Sequence, residues 1–106
     1  MRVLFDQGTP APLRRALPGH VVETTYERGW STLTNGQLLH AAEIAGFEVF
    51  ITTDTNLRYQ QNLTDRRIAI VVLSTTSWSR IRAATTQVAR AVDSATPGQY
   101  IEVQVP

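Results

Sequence analysis

The chain has 106 residues, a length that suits one domain with one hydrophobic core. It contains no cysteine, which excludes disulfides, thiolate zinc sites and thiol catalysis. The net charge is +1 and every basic residue is arginine, so a strong bulk field and any mechanism that needs a lysine are excluded as well.

The first quarter of the chain predicts two strands with a helix between them. Residues 3–5 are an apolar run that ends at an acid, which predicts a buried strand over residues 2–5. Thr9 is predicted to cap a helix with proline in its first turn, and Pro18 ends this helix. Residues 20–25 are largely β-branched and predict the second strand, and residues 26–34 predict a loop or short helix.

The next quarter predicts a helix followed by a third strand. Asn35 is predicted to cap a helix over residues 36–45, and Gly46 suits the position just beyond its end. Residues 48–52 predict the third strand. Residues 54–63 are polar, with room for one or two helical turns.

The second half of the chain predicts a strand, one long helix and a final strand. Residues 68–73 are six apolar residues in a row, which favours an interior parallel strand. Residues 78–95 carry the clearest helical periodicity, and residues 100–105 alternate as an edge strand does. This order predicts an α/β fold, a three-layer α/β/α sandwich on a mostly parallel sheet of about five strands, in a single domain over residues 1–106.

Two acids follow directly on predicted strands. Asp6 ends the first strand and Asp54 follows the third, with Asn56 beside it; the predicted cap Asn35 begins its helix on the same side. The carboxyl ends of parallel strands are where ligands bind in open α/β sheets. Such oxygen donors suit Mg²⁺ or Mn²⁺ rather than zinc. For each aspartate alone, a structural role as a turn former or helix cap is favoured, and it is the pair that favours a site.

Three further side chains are candidates for contact with a substrate. Trp30 can stack on a base, although its place in a loop beside the site favours a packed lid. Arg58 can contact a phosphate, although a solvated turn explains it equally well. Ser74 follows the fourth strand at the same predicted edge of the sheet.

Four segments resemble a family of small bacterial PIN-like proteins: VLFD at residues 3–6, NGQLL at 35–39, AAEIAGF at 41–47 and ITTDTNL at 51–57. The resemblance covers nearly the whole chain. It implies a three-layer fold whose strand-end acids hold Mg²⁺ or Mn²⁺ for cleavage of RNA. It also implies the toxin part of a toxin–antitoxin module, with a small antitoxin protein as partner.

The chain departs from the family pattern at two of four expected acids. Asp6 and Asp54 match the pattern. The resemblance implies that these two acids are the catalytic residues. Asn35 stands where an acid usually opens the middle helix, and Asn56 replaces an acid of the last motif. Amide oxygens can bind Mg²⁺ but bring no charge, so we expect weaker metal binding. Glu27, in the loop after the second strand, can restore one charge if it reaches the site.

Three functions compete at this point. The first is a metal-dependent ribonuclease of the PIN-like type. The second is a PIN-like module that binds RNA or a protein partner without cleaving, which the two amides favour. The third is a phosphoacceptor receiver domain, which is disfavoured because Asp6 lacks an adjacent acid and the chain has no lysine.

The sequence also predicts where the protein is located and how it associates. No apolar run is long enough to span a bilayer, and the acid at position 6 comes too early for a signal peptide, so we expect a cytoplasmic protein without a membrane partner. The predicted edge strand can pair with a second copy to form a homodimer. The sequence fixes neither the homodimer nor the antitoxin.

Overall fold

The computed structural model describes residues 1–60, 62, 63 and 65–106. Its five strands form one sheet in which every pair of neighbours is parallel, as predicted. In chain order the strands are β1 Arg2–Phe5, β2 Val21–Thr24, β3 Val49–Thr52, β4 Ala69–Leu73 and β5 Tyr100–Val103.

The strands lie in the order β2-β1-β3-β4-β5. Phe5 at the end of β1 pairs with Thr24 of β2 on one side and with Ile51 of β3 on the other. The chain therefore winds outward in opposite directions from β1 and β3. In doubly wound sheets the crevice at the carboxyl ends of two such strands is the place where ligands bind.

Helices cover both faces of the sheet and give the fold three layers. They are a 3₁₀ helix Ala11–Ala16, α1 Asn35–Ile44, α2 Leu57–Gln60, α3 Trp78–Arg82 and α4 Thr85–Asp93. Successive residues of a strand face opposite ways. Phe5 accordingly packs with the 3₁₀ helix, α3 and α4, whereas Leu4 packs with α1 and α2.

The two predicted helix caps are wrong. Thr34, not Asn35, caps α1: its hydroxyl accepts a hydrogen bond from Gln37 N, and the Gln37 side chain bonds back to Thr34 N. This reciprocal pair satisfies two helix-end donors at once and moves the helix start one residue earlier. The Thr9 hydroxyl caps no helix; Pro10 precedes a 3₁₀ helix with no side-chain cap. Gly46 follows α1 with φ +86°, as predicted.

The single helix predicted over residues 78–95 is two helices. Its break lies at Ala83 and Ala84, and Ala84 has φ −120° and ψ 19°. Ile81 and Val88, on either side of the break, are buried in the same core. Hydrophobic spacing reports which face is buried, and here the same face stays buried through the break.

The remaining elements agree with the sequence in kind. Strand β5 lies at an edge of the sheet, and Ile101, Val103 and Val105 share one core cluster, as the alternation predicts. The helical turn predicted within 54–63 is α2; position 61 lies outside the described residues. No helix in the described part of the chain has the length and apolar character needed to cross a membrane.

Candidate metal-binding site at the carboxyl edge of the sheet

Asp6 is held in a fixed position where β1 ends. Its N–H donates to Ile51 O of β3 at 3.1 Å, which extends the β1–β3 pairing by one residue. Its Oδ1 accepts hydrogen bonds from Thr9 N at 3.0 Å and from the Thr9 hydroxyl at 2.6 Å. Its Oδ2 accepts a hydrogen bond from the Thr52 hydroxyl. These donors orient a carboxylate that is only partly covered from solvent.

Thr52 connects the two predicted acids. This residue is the last of β3 and only 1% exposed. Its hydroxyl donates to Asp6 Oδ2 and accepts a hydrogen bond from Asp54 N at 3.0 Å. One buried hydroxyl thus joins residues 6 and 54 across neighbouring strands. The sequence-based expectation that the two residues come together at one edge agrees with this geometry.

Asp54 lies in a turn that also brings in both asparagines. Its Oδ1 accepts a hydrogen bond from Asn56 N at 3.0 Å, and its Oδ2 accepts one from Asn35 Nδ2 at 3.3 Å. Asn35 thus turns its amide NH₂ toward Asp54 from the first turn of α1. Asn56 contributes its backbone, and its side chain is exposed. Asp6, Asp54 and Asn35 therefore belong to one hydrogen-bonded group with Thr52.

Two cavities open beside Asp6. The smaller, about 150 Å³, has Asn35 and Trp30 in its wall, and the larger, about 640 Å³, has Thr9 and Tyr26 in its wall. Thr25 and Gln7 border both. Asp6 therefore borders space large enough for part of a ligand, whereas Asp54 is partly exposed and borders neither cavity.

The charge at this edge is not compensated by any described cation. Asp6 and Asp54 take part in none of the ion pairs among the described residues, whereas Glu27 and Glu43 each pair with an arginine. A carboxylate oxygen can accept two hydrogen bonds, and each Asp54 oxygen accepts one from the described residues. Asp6 Oδ2 and both oxygens of Asp54 therefore keep acceptor capacity among the described residues, and carboxylates without a countercharge are the donors that hard divalent cations prefer.

Only two acids are available to a cation at this edge among the described residues. Within the described ranges, no group of three or more acidic, histidine or cysteine side chains could hold a metal. Both oxygens of Glu27 are taken, by Arg14 and by Thr24 N. The hydrogen bond from Arg14 lowers the pKa of Glu27, so this acid remains ionised in its own pair. Glu27, which the sequence suggested as a third charge for the site, is thus engaged in a separate ion pair with Arg14.

The three candidate substrate residues lie in different surroundings. Arg58 stacks on Tyr59 at 4.8 Å from the ring centroid and pairs with Glu102 of β5 at 3.4 Å. The Ser74 hydroxyl accepts a hydrogen bond from Val105 N at 2.8 Å and so fastens the chain after β5. Neither residue borders the two cavities beside Asp6.

Trp30 does border the site, as part of a packed wall. The Arg28 guanidinium lies 4.7 Å from one Trp30 ring centroid, and Phe47 meets the ring edge-on at 6.1 Å. The ring is half-buried against the core that α1 covers. Its packing suits the lid alternative, while its place in the small cavity leaves one part of the ring facing that space.

Two functional candidates escaped the sequence analysis. Thr52 had a visible signal, since a hydroxyl closes an otherwise apolar strand two residues before Asp54. Thr25 had none. This residue is 1% exposed, and its hydroxyl has no hydrogen-bond partner among the described residues, although the residue borders both cavities.

Comparisons with family models, curated proteins and solved structures find no match to this chain. The function is therefore inferred from the geometry at the carboxyl edge and from the resemblance seen in the sequence.

Proposed function

We propose that this protein is a Mg²⁺- or Mn²⁺-dependent ribonuclease of the PIN-like type. The observation that carries the proposal is the Asp6–Thr52–Asp54 hydrogen-bonded chain at the β1–β3 crevice, with no described cation beside either acid. The family resemblance adds the substrate, RNA, and the expected role as a toxin with an antitoxin partner. It also adds the PIN-like identity of the three-layer fold.

Asp6 and Asp54 would hold the ion, and the neighbouring side chains would fix both acids. Thr9 and Thr52 fix the two oxygens of Asp6, and Asn35 and Asn56 N fix those of Asp54. A bound Mg²⁺ or Mn²⁺ supplies polarisation of a phosphoryl oxygen and a lower pKa for its bound water. Because these contacts orient both carboxylates in advance, the site loses little rotamer freedom when it is filled.

One ion is the appropriate number for this set of ligands. Two carboxylates balance one divalent charge, and the two amides add oxygen or orientation without charge. We therefore place catalysis on one ion rather than on a pair. We expect weak binding of the ion to the protein alone, because the site supplies two charged ligands and Mg²⁺ sites of this kind are completed by waters and substrate phosphates.

A second function is favoured by one specific contact. Asn35 presents its NH₂ group, not its oxygen, to Asp54. An acid at position 35 would repel Asp54, and the amide instead stabilises it without metal. This contact supports a PIN-like module that binds RNA or a protein and does not cleave.

The strand order is compatible with a receiver domain, but the residues that phosphoryl transfer in such a domain needs are missing. The order β2-β1-β3-β4-β5 is shared with doubly wound domains of several functions, so it does not choose among them. The missing lysine and the single acid at the end of β1 count against phosphoryl transfer to an aspartate.

A cleavage assay separates the two remaining functions. Wild type should cut a labelled single-stranded RNA in millimolar Mn²⁺ and not in EDTA. Asp6→Asn and Asp54→Asn should each slow single-turnover cleavage by roughly 100-fold or more, beyond the loss typical of outer-shell partners. Glu43→Gln is the matched control, since its acid is paired with Arg66 away from the site.

Two kinds of result would contradict the proposed nuclease. Cleavage that persists in EDTA, or that survives both aspartate substitutions, overturns the metal-dependent mechanism. RNA binding without cleavage at any Mn²⁺ concentration overturns the nuclease and favours the binding module.

A further inference from the structure

A groove leads away from Asp6 across the 3₁₀ helix and the loop after β2. The cavity of about 640 Å³ that contains Asp6 adjoins a second cavity of about 510 Å³. Ala11, Thr24 and Tyr26 border both. The second cavity also has Arg14 and Arg15 in its wall. The two cavities therefore form a path from the candidate metal site to a basic end.

Tyr26 stands where the two cavities meet. Its side chain is 82% exposed, the most exposed large hydrophobic residue of those that the structure describes. A single exposed aromatic ring needs no explanation by itself. A ring at the junction of two cavities, beside uncompensated arginine, is the arrangement by which proteins stack an unpaired base.

Arg15 supplies the charge. Its neighbour Arg14 is paired with Glu27, whereas Arg15 is exposed and its side chain forms no hydrogen bond or ion pair with any described residue. The cavity wall consequently carries one positive charge in excess. A guanidinium with all its donors available is suited to the phosphate of a nucleic acid.

We infer that single-stranded RNA reaches Asp6 along this groove, with one base stacked on Tyr26 and a nearby phosphate bound by Arg15. The inference rests on the proposed function for the identity of the reacting centre. It adds the direction of approach, two residues that bind substrate, and a requirement for an unpaired strand. A duplex keeps its bases stacked on one another and cannot offer one to the ring.

The test measures RNA binding in EDTA, where cleavage does not occur. Tyr26→Ala should weaken binding of a short labelled single strand by roughly 5- to 100-fold, and Tyr26→Phe should restore it, because only the ring stacks. Tyr59→Ala is the matched control: this tyrosine is 73% exposed but borders neither cavity. The duplex of the same sequence should bind much more weakly than the single strand.

Arg15 is tested by the salt dependence of the same binding. Arg15→Ala should reduce the slope of log K against log salt by about 0.7, the value for one phosphate contact on a single strand. Arg90→Ala is the control and should leave the slope unchanged, because it removes an exposed arginine of α4. Asp93 of the same helix pairs with His20, just before β2.

Failure of this inference differs from failure of the proposed function. Equal RNA affinity of Tyr26→Ala and wild type, equal binding of duplex and single strand, or no RNA binding at all overturns the groove. Binding of an acidic peptide with the same loss in Tyr26→Ala, and no binding of RNA, assigns the groove to a protein. Binding through Tyr26 without metal-dependent cleavage leaves the groove standing and overturns only the nuclease.

Discussion

The half-buried acids of two regions of this molecule have different kinds of partner. Glu43 on α1 pairs with Arg66 at 2.9 Å and accepts a hydrogen bond from Arg67 N at 3.1 Å. Asp6 and Asp54 are also partly covered but are held by hydroxyl, amide and backbone N–H groups without an ion pair among the described residues. Both arrangements orient a carboxylate. Only the first balances its charge.

The difference indicates what each acid is for. A partly desolvated carboxylate without a countercharge is less stable than one that is paired. Where an acid only fastens α1 to the segment before β4, the fold supplies arginine. At the β1–β3 crevice the fold supplies neutral donors instead, which leaves the negative charge available to a cation from solution.

The largest effect is expected at the residue that connects the two acids. Thr52→Val keeps the shape of the side chain but removes both hydrogen bonds of a buried hydroxyl and leaves Asp54 N without its partner. We expect a loss of about 1–3 kcal/mol in the free energy of unfolding, measured by urea denaturation in EDTA. Thr53→Val, one residue away and half-buried, should change it by less than about 0.5 kcal/mol. Equal effects at both positions would mean that Thr52 connects nothing of importance.

A smaller effect on stability is expected when an acid of each kind is neutralised, and it should differ between Glu43 and Asp54. Glu43→Gln leaves Arg66 without its countercharge and should destabilise the protein by about 0.5–1 kcal/mol. Asp54→Asn removes a charge that has no described countercharge but also replaces one of the two acceptor oxygens with an NH₂ group, so the two effects oppose each other and stability in EDTA should change by less than about 0.5 kcal/mol. The measurement is again urea denaturation. Destabilisation of Asp54→Asn beyond that of Glu43→Gln would remove the contrast between the two regions.

The smallest effect is expected at Arg58. Its ion pair with Glu102 joins two side chains that are nearly half exposed, 47% and 41%, so the pair contributes little. Arg58→Ala should lower stability by less than about 0.5 kcal/mol and leave RNA cleavage unchanged. A clear fall in RNA affinity would restore the phosphate contact that the sequence suggested and extend the site toward β5.

Much of the architecture could be predicted from the sequence because strand signals here are strong. Residues 69–73 are apolar throughout, and acids or turn residues punctuate the strand ends, so the sheet and its carboxyl edge follow from local pattern. The details that failed depend on competition between neighbours. Asn35 is a residue type that often caps helices. Thr34 caps α1 instead, because Gln37 lies three residues later and the two residues form reciprocal side-chain-to-backbone hydrogen bonds.

The candidate site was predictable in its acids and not in its connections. Asp6 and Asp54 are visible because each ends an apolar run. That Thr52 would bridge them, and that Arg14 would engage Glu27, depends on register and loop geometry between distant segments. Spacing along the chain carries no information about such contacts until the order of the strands is known.

The most direct test of the central claim is a crystal structure with Mn²⁺, read by anomalous scattering. The account predicts one peak per chain, with oxygens of both Asp6 and Asp54 about 2.0–2.6 Å from the ion, and its disappearance in Asp54→Asn. A map with no peak at the β1–β3 crevice in millimolar Mn²⁺, or with an ion on only one of the two acids, would contradict it.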